Sequence, residues 1–203
     1  MHIPTSDITE TELRPFSEEL FLSLNEKHEY DSEKWLYVPC EYKEYRYILG
    51  TKGNNPLICI GINPSTAEPD NLDNTLKSVE RIAKGNGFDS FIMFNVYPQR
   101  ATKPDDMSLT LNKSLHRENM NAFEYILSLS DKNPTVWAAW GTIIETRPYL
   151  SECLNDMIEI GKKYGAKWVK CGALSKCGHP HHPLYLKKDA LLEVFDIEKY
   201  TKD

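Results

Sequence analysis

The sequence predicts an α/β protein: a three-layer α/β/α sandwich around a central, mainly parallel four-stranded sheet, with an N-terminal helix and hairpin as an extension. Two observations carry this. From residue 57 onward, short apolar runs of strand length alternate with longer amphipathic segments of helical period. Strand–helix alternation at that spacing implies right-handed crossovers and parallel strands. The composition agrees. Of 203 residues, 40% are hydrophobic and 27% charged, enough for one domain with its own core. The expected organisation is a single domain over 1–203, with 1–50 as the extension and 51–190 as the core.

In the extension, "SEELFLSLNEK" (17–27) has apolar residues at helical spacing, with Ser17 as its expected cap. "KWLYVPC" and "EYRYILG" alternate apolar and polar residues and read as two strands. "GTKGNNP" (50–56) is a turn. The core then begins with "LICIGI" (57–62), a buried strand, followed by "NTLKSVERIAKGNG" (74–87), a helix ending at glycine. "SFIMFNVY" (90–97) is the next strand and "NKSLHRENMNAFEYILSLS" (112–130) the next helix. "TVWAAWG" (135–141) and "KWVKCGAL" (167–174) are the last two strands. Between them lies a helix over 147–165, with Pro148 in its first turn. The tail 186–197 reads as a final helix.

Bulk properties exclude several classes. No run of eighteen apolar residues is present, so no membrane span is expected. The polar, acidic N-terminus lacks the pattern of a signal peptide, which makes the cytoplasm the expected location. The net charge of −6 argues against non-specific coating of nucleic acid, although a local basic cleft remains compatible with it. The five cysteines form no C-x-x-C pair and fit free thiols better than a disulfide framework. Cys171 and Cys177 lie near His179, His181 and His182, but the spacing matches no common zinc site. Neither metal nor cofactor is expected. Walker, G-x-G-x-x-G and G-x-S-x-G motifs are all missing from the chain.

Open α/β sheets bind ligands beyond the carboxyl ends of their strands. Here those ends read "GINPST", "FNVYPQRATKP", "WGT" and "ALSKCGHPHHPLY". Asn63 stands where an apolar run stops at Pro64, which forces a break. One reading is a strand-to-helix turn, with Ser65 or Thr66 capping the next segment. The other places the amide in a site. Asn95 is an amide inside a buried strand; it needs partners there, and one that donates and accepts at once suits a base edge. Backbone partners would satisfy it equally. "GHPHHPLY" (178–185) is stiffened by Pro180 and Pro183, and a rigid loop holding imidazoles suits oxyanion stabilisation or proton handling. At most two of its three histidines can point inward. Tyr97, Arg100, Lys103 and Lys176 flank these ends; together they suit contact with phosphate and stacking on a ring, while each taken singly reads as a surface residue.

Four spaced blocks resemble an uncharacterised family, domain of unknown function 1643. They are Asn63 to Ala67 (N-P-S-T-A), Asp73 to Thr75 (D-x-T), Asn95 to Thr102 (N-x-x-x-x-R-A-T) and His182 to Tyr185 (H-P-L-Y), spread over about residues 45–187. The architecture in turn resembles the uracil-DNA glycosylase superfamily. "GINP" at Gly61 to Pro64 resembles the water-activating motif of its mismatch-specific branch. Asn95 matches a base-reading asparagine, Trp140 and Gly141 match a Trp-Gly after the third strand, and "HPHHP" resembles an H-P-S-P loop with a one-residue shift.

The resemblance implies a DNA glycosylase-like hydrolase that flips out a pyrimidine and cleaves its N-glycosidic bond. It implies that Asn63 places the water, that Asn95 reads the base and that His182 stabilises the departing base, with His181 or His179 as substitutes. Asp73 would support the water or order the loop. Ile62, Pro64, Ser65, Thr66, Tyr97, Arg100 and Tyr185 would line the substrate. Two departures bear on this. The strong uracil enzymes carry aspartate where this chain has Asn63, which implies slower chemistry. They carry a blocking tyrosine where this chain has Ser65, which implies room for a bulky 5-substituent. The expected partner is DNA, the expected state a monomer. The rival readings are an inactive nucleotide or nucleic-acid binding module of the same fold, and a hydrolase using Ser65 with a histidine.

Overall fold

The computed structural model describes residues 1–4, 13–130 and 132–201; residues 5–12 of the expected N-terminal extension lie outside them. The chain folds as an α/β protein with a mixed sheet of seven strands. In chain order the elements are α1 (Phe16–Asn25), β1 (Trp35–Val38), β2 (Ile48–Thr51), β3 (Pro56–Gly61), α2 (Asn74–Gly85), β4 (Ser90–Asn95), α3 (Lys113–Ser128), β5 (Thr135–Ala138), α4 (Pro148–Lys163), β6 (Lys167–Cys171), β7 (Leu192–Val194) and α5 (Ile197–Tyr200). The strand order across the sheet is β1-β2-β4-β3-β5-β6-β7.

The expectation of four mainly parallel strands needs correcting. Strands β4, β3, β5 and β6 run parallel, but the hairpin is no separate extension. Its second strand pairs antiparallel with β4, Leu49 opposite Met93, so both hairpin strands join the same sheet. At the other edge β7 pairs antiparallel with β6. The expected helix over 186–197 is replaced by β7 and the single turn α5. Apolar residues at 191, 192, 194, 195 and 197 suit helical and extended periods alike, and the unpaired edge of β6 decides between them. Ser17 is no cap either. Helix α1 starts at Phe16 after Pro15, and the Glu118 carboxylate accepts the Phe16 N–H at 2.9 Å.

The period of two along each strand sends alternate residues to opposite faces. Ile58 and Ile60 of β3, with Ile92 and Phe94 of β4, pack under α1, α3 and α4. Leu57 and Cys59, with Phe91 and Met93, pack under Leu76, Val79, Ile82 and Ala83 of α2. Connections therefore leave β3 and β5 in opposite directions, α2 crossing on one face and α3 and α4 on the other. A crevice opens beyond strand ends where such connections diverge. No helix among the described residues is long and apolar enough to cross a membrane.

Candidate functional site

Beyond the carboxyl ends of β3 and β4 lies a cavity of about 450 Å³, bounded by Ile62 to Thr66, Asp73, Asn95, His182 and Tyr185 among others. That volume suits a small organic ligand. The cavity brings together side chains far apart in sequence, each held for a local reason.

Asn63 follows β3. Its Nδ2 donates to Ala101 O at 2.7 Å and to Pro64 O at 3.1 Å. Two carbonyl acceptors fix which end of the amide is nitrogen. Both N–H groups are thereby used, and the Oδ1 accepts nothing from the described residues, so it is the atom left to act on a ligand. Pro64 makes the break at the strand end, and the Asn63 amide borders the cavity. Ser65 and Thr66 cap no helix. Ser65 Oγ instead shares a hydrogen bond of 3.0 Å with Thr102 Oγ1.

Asn95 ends β4 on the α2 side of the sheet, and it is 1% exposed. Neither its Oδ1 nor its Nδ2 has a hydrogen-bond partner. Its backbone carbonyl, by contrast, is held by Asn119 Nδ2 at 3.0 Å. A buried amide normally finds partners, and leaving one without them costs free energy. Opposite it in the sheet stands Gly61. A Cβ there would lie 2.6 Å from Met93 Cε and 3.2 Å from Asn95 Oδ1. The glycine of "GINP" thus makes room for the Asn95 amide.

His182 caps a 3₁₀ turn at Pro183–Tyr185, with its Nδ1 accepting from Leu184 N–H at 3.4 Å. In the neutral ring an accepting Nδ1 leaves the proton on Nε2, which is then a donor. Burial lowers the His182 pKa below its ordinary value, and the charge of Asp73 opposes the shift, so the ring is neutral at pH 7. The loop is tied to α2: Ser78 Oγ donates to Pro183 O at 2.8 Å. Beside it Gly141 takes a left-handed backbone (φ 63°), a conformation that favours glycine. The Tyr185 ring lies 6.1 Å from that of His182 and is 81% exposed, standing beside it as an aromatic face open to solvent.

Asp73 is the N-cap of α2, its Oδ1 accepting from Leu76 N–H at 2.9 Å. The alanine variant Asp73→Ala is expected to cost about 1 kcal/mol of stability through the lost cap, or roughly 2–4 °C in melting temperature for a domain of this size. Because Asp73 raises the pKa of His182, the same variant should move the His182 titration further toward acid. Thermal melting and an imidazole NMR titration check the two effects separately.

Six residues that the sequence places at these strand ends lie elsewhere. Tyr97 is fully buried, accepts from Asn112 N–H at 3.1 Å and packs on Tyr149. Arg100 is fully buried as well. It donates to Ser65 O, to Ala67 O and to Tyr37 Oη, and stacks on the Tyr42 ring, so it holds the strand-end loop from behind and is closed off from a phosphate in solvent. His179 turns away, joined to Tyr200 Oη at 2.7 Å and to Glu145 at 2.9 Å. His181 is exposed and lines no part of the cavity. Lys103 and Lys176 are exposed surface residues.

The cavity also contains residues that sequence reasoning missed: Arg46, Met93, Thr102, Ile143 and Leu184. Arg46 stands between two tyrosines in "EYRYILG", just ahead of β2, and its side chain is buried at the cavity. Among the described residues no group of three or more His, Cys, Asp or Glu is placed to hold a metal ion.

A cavity bordered by amides, an imidazole, a guanidinium and apolar side chains at the strand ends of a mixed α/β sheet defines the class: an α/β protein with a candidate ligand site at its strand ends. Within that class, the chain belongs to the family described as Protein of unknown function (DUF1643), whose model matches residues 46–184. Those bounds contain Arg46, Asn63, Asp73, Asn95 and His182. Comparison with curated proteins found no match, and neither did comparison with solved structures.

Proposed function

We propose that the chain is a DNA glycosylase-like hydrolase that holds an extruded pyrimidine nucleotide in this cavity and cleaves its N-glycosidic bond, leaving an abasic site. The observation that carries the reading is Asn95. It is a buried amide bordering the cavity with a free acceptor and a free donor, the complement of the donor–acceptor edge of a pyrimidine. The other groups fit the same reaction. The C1′–N bond breaks and its electron pair leaves with the base. The Nε2–H of neutral His182 hydrogen-bonds the base carbonyl where that charge gathers. A water accepted by Asn63 Oδ1 adds to C1′ and loses its proton to solvent. Asp73 supplies negative charge facing the cationic sugar. Ser65, small and turned to Thr102, leaves space for a substituent at the pyrimidine 5-position. The sequence resemblance to the uracil-DNA glycosylase superfamily supports the same roles.

The test uses duplex and single-stranded DNA carrying uracil, mismatched thymine or bulky 5-modified cytosines. Abasic sites on at least one substrate, lost in Asn63→Ala, are expected. No release from any of them by the wild-type protein would sink the reading.

One observation favours binding without cleavage. Among the described residues Asp73 is the one carboxylate bordering the cavity, and one of its oxygens is spent on the α2 cap; no free base among them is poised beside Asn63. Nucleotide-induced rises in melting temperature with no base release would decide for a binding module.

A further inference from the structure

Arg46 borders the cavity and has no role in the reaction just described. It is 1% exposed. A guanidinium has five N–H donors, yet the one hydrogen bond the Arg46 guanidinium makes to the described residues runs from Nη1 to Ala67 O, at 3.1 Å. The Nε is buried without a partner, and Nη2 donates to no described residue. No carboxylate stands within ion-pair distance of Arg46 or of its neighbour Arg100 among the described residues. Asp73 acts on it only at longer range.

The fold thus keeps a buried guanidinium whose charge no described residue close to it neutralises. Burial, and then the charge of Arg100, lower the Arg46 pKa to about 9, so it is still protonated at neutral pH. A buried charge with no partner is strongly unfavourable, and a fold without a use for it gains by replacing it. Support of the loop does not account for it. Arg100 already holds Ser65 O and Ala67 O from behind, and Arg46 adds one bond to the same carbonyl while its remaining donors stay free. Guanidinium donors match oxyanions, often in pairs.

The geometry points to an oxyanion carried by the substrate and held by Arg46 at the edge of this cavity: a phosphate flanking the bound nucleoside, or a carboxylate on the base itself. This assignment rests on the occupant being a pyrimidine nucleoside unit, and not on its being cleaved.

The experiment is calorimetric titration, at one fixed low salt concentration, of three ligands that differ in charge. They are 2′-deoxyuridine, its 5′-monophosphate, and 5-carboxy-2′-deoxyuridine. At least one charged ligand is expected to bind the wild-type protein tenfold or more tighter than deoxyuridine. Preference for the monophosphate places the oxyanion on the backbone; preference for the carboxy nucleoside places it on the base. Arg46→Gln should erase the preference and Arg46→Lys should keep part of it, with circular dichroism reporting that each variant is folded. Should Arg46→Gln fail to fold, the wild-type series and Arg46→Lys still decide. The assignment is overturned if deoxyuridine binds as tightly as both charged ligands, if Arg46→Gln keeps the preference, or if no ligand binds. A charge preference without base release from DNA would remove the cleavage reading and leave the oxyanion site standing. Base release without any charge preference would do the reverse.

Discussion

His182→Ala is expected to slow base release about a hundredfold or more, the loss found when a single preorganised donor to a developing anion is removed. The tautomer of the ring sets this effect. Leu184 N–H points at Nδ1, so the neutral ring must carry its proton on Nε2. That leaves one donor, fixed in place by a loop that is stiffened by two prolines and pinned to α2 through Ser78 and Pro183 O. A donor already aimed at the charge needs no reorganisation when the bond breaks. Substrate binding should change far less than the rate, because the base becomes anionic only as it leaves. Equal loss of binding and rate would instead mark His182 as a wall of the cavity.

The same group makes stability depend on pH in a stated direction. Burial depresses the pKa of His182 in the folded chain, while in the unfolded chain it titrates near the ordinary value of about 6.5. As pH falls through that value, the unfolded state takes up a proton and the folded state resists. Stability is therefore fully present above about pH 6.5 and declines as pH falls toward the folded value. Melting temperatures recorded from about pH 7.5 down to about pH 5 should show a shallower decline in His182→Ala than in the wild-type protein. Parallel curves would mean that other groups set the acid sensitivity.

The range of the interactions involved decides which features the sequence disclosed and which it withheld. Strands β3, β4 and β5 lie in apolar runs buried on both faces, β6 in a shorter, half-buried one, and helices α2, α3 and α4 in clear helical periods; these are local patterns. The edges of the sheet are not local. Whether 35–38 and 48–51 form a detached hairpin or extend the sheet depends on β4 accepting a neighbour, and nothing inside the hairpin records that. The β7 segment is decided in the same way by β6. At the site, Asn63, Asn95 and His182 were legible because each breaks its surroundings: an amide at a strand end, an amide among Phe, Met and Val, an imidazole between prolines. Tyr97 and Arg100 were misplaced for the opposite reason. Polar-tipped residues after a strand read as surface, and only the packed structure shows Arg100 wedged beneath Tyr42 and the Ser65–Ala67 backbone. Arg46 was hidden because it precedes β2, and only the packed structure shows its side chain buried at the cavity.

Asn95→Leu is expected to move stability and function in opposite directions. Leucine has the same branching and the same number of heavy atoms, so it follows the shape of the amide, and its bulkier methyls find room because the side chain borders the cavity. What it removes is a buried amide that has no partner in the unliganded protein. Such a group costs about 1–3 kcal/mol, so the variant should melt higher, by roughly 2–4 °C for each kcal/mol recovered in a domain of this size. Base recognition should fall by about a hundredfold or more, because a site that loses its hydrogen-bonding partner leaves the base edge desolvated and unpaired. The sign of the melting shift carries the discrimination. An amide that serves the fold, through a water held between it and the sheet, would lower the melting temperature when removed and would leave base release near the wild-type rate. An amide kept unsatisfied for a ligand destabilises the empty protein and is satisfied only when the ligand arrives. Thermal melting with and without a bound nucleotide separates these directly: the nucleotide should raise the melting temperature of the wild-type protein and leave that of Asn95→Leu almost unmoved.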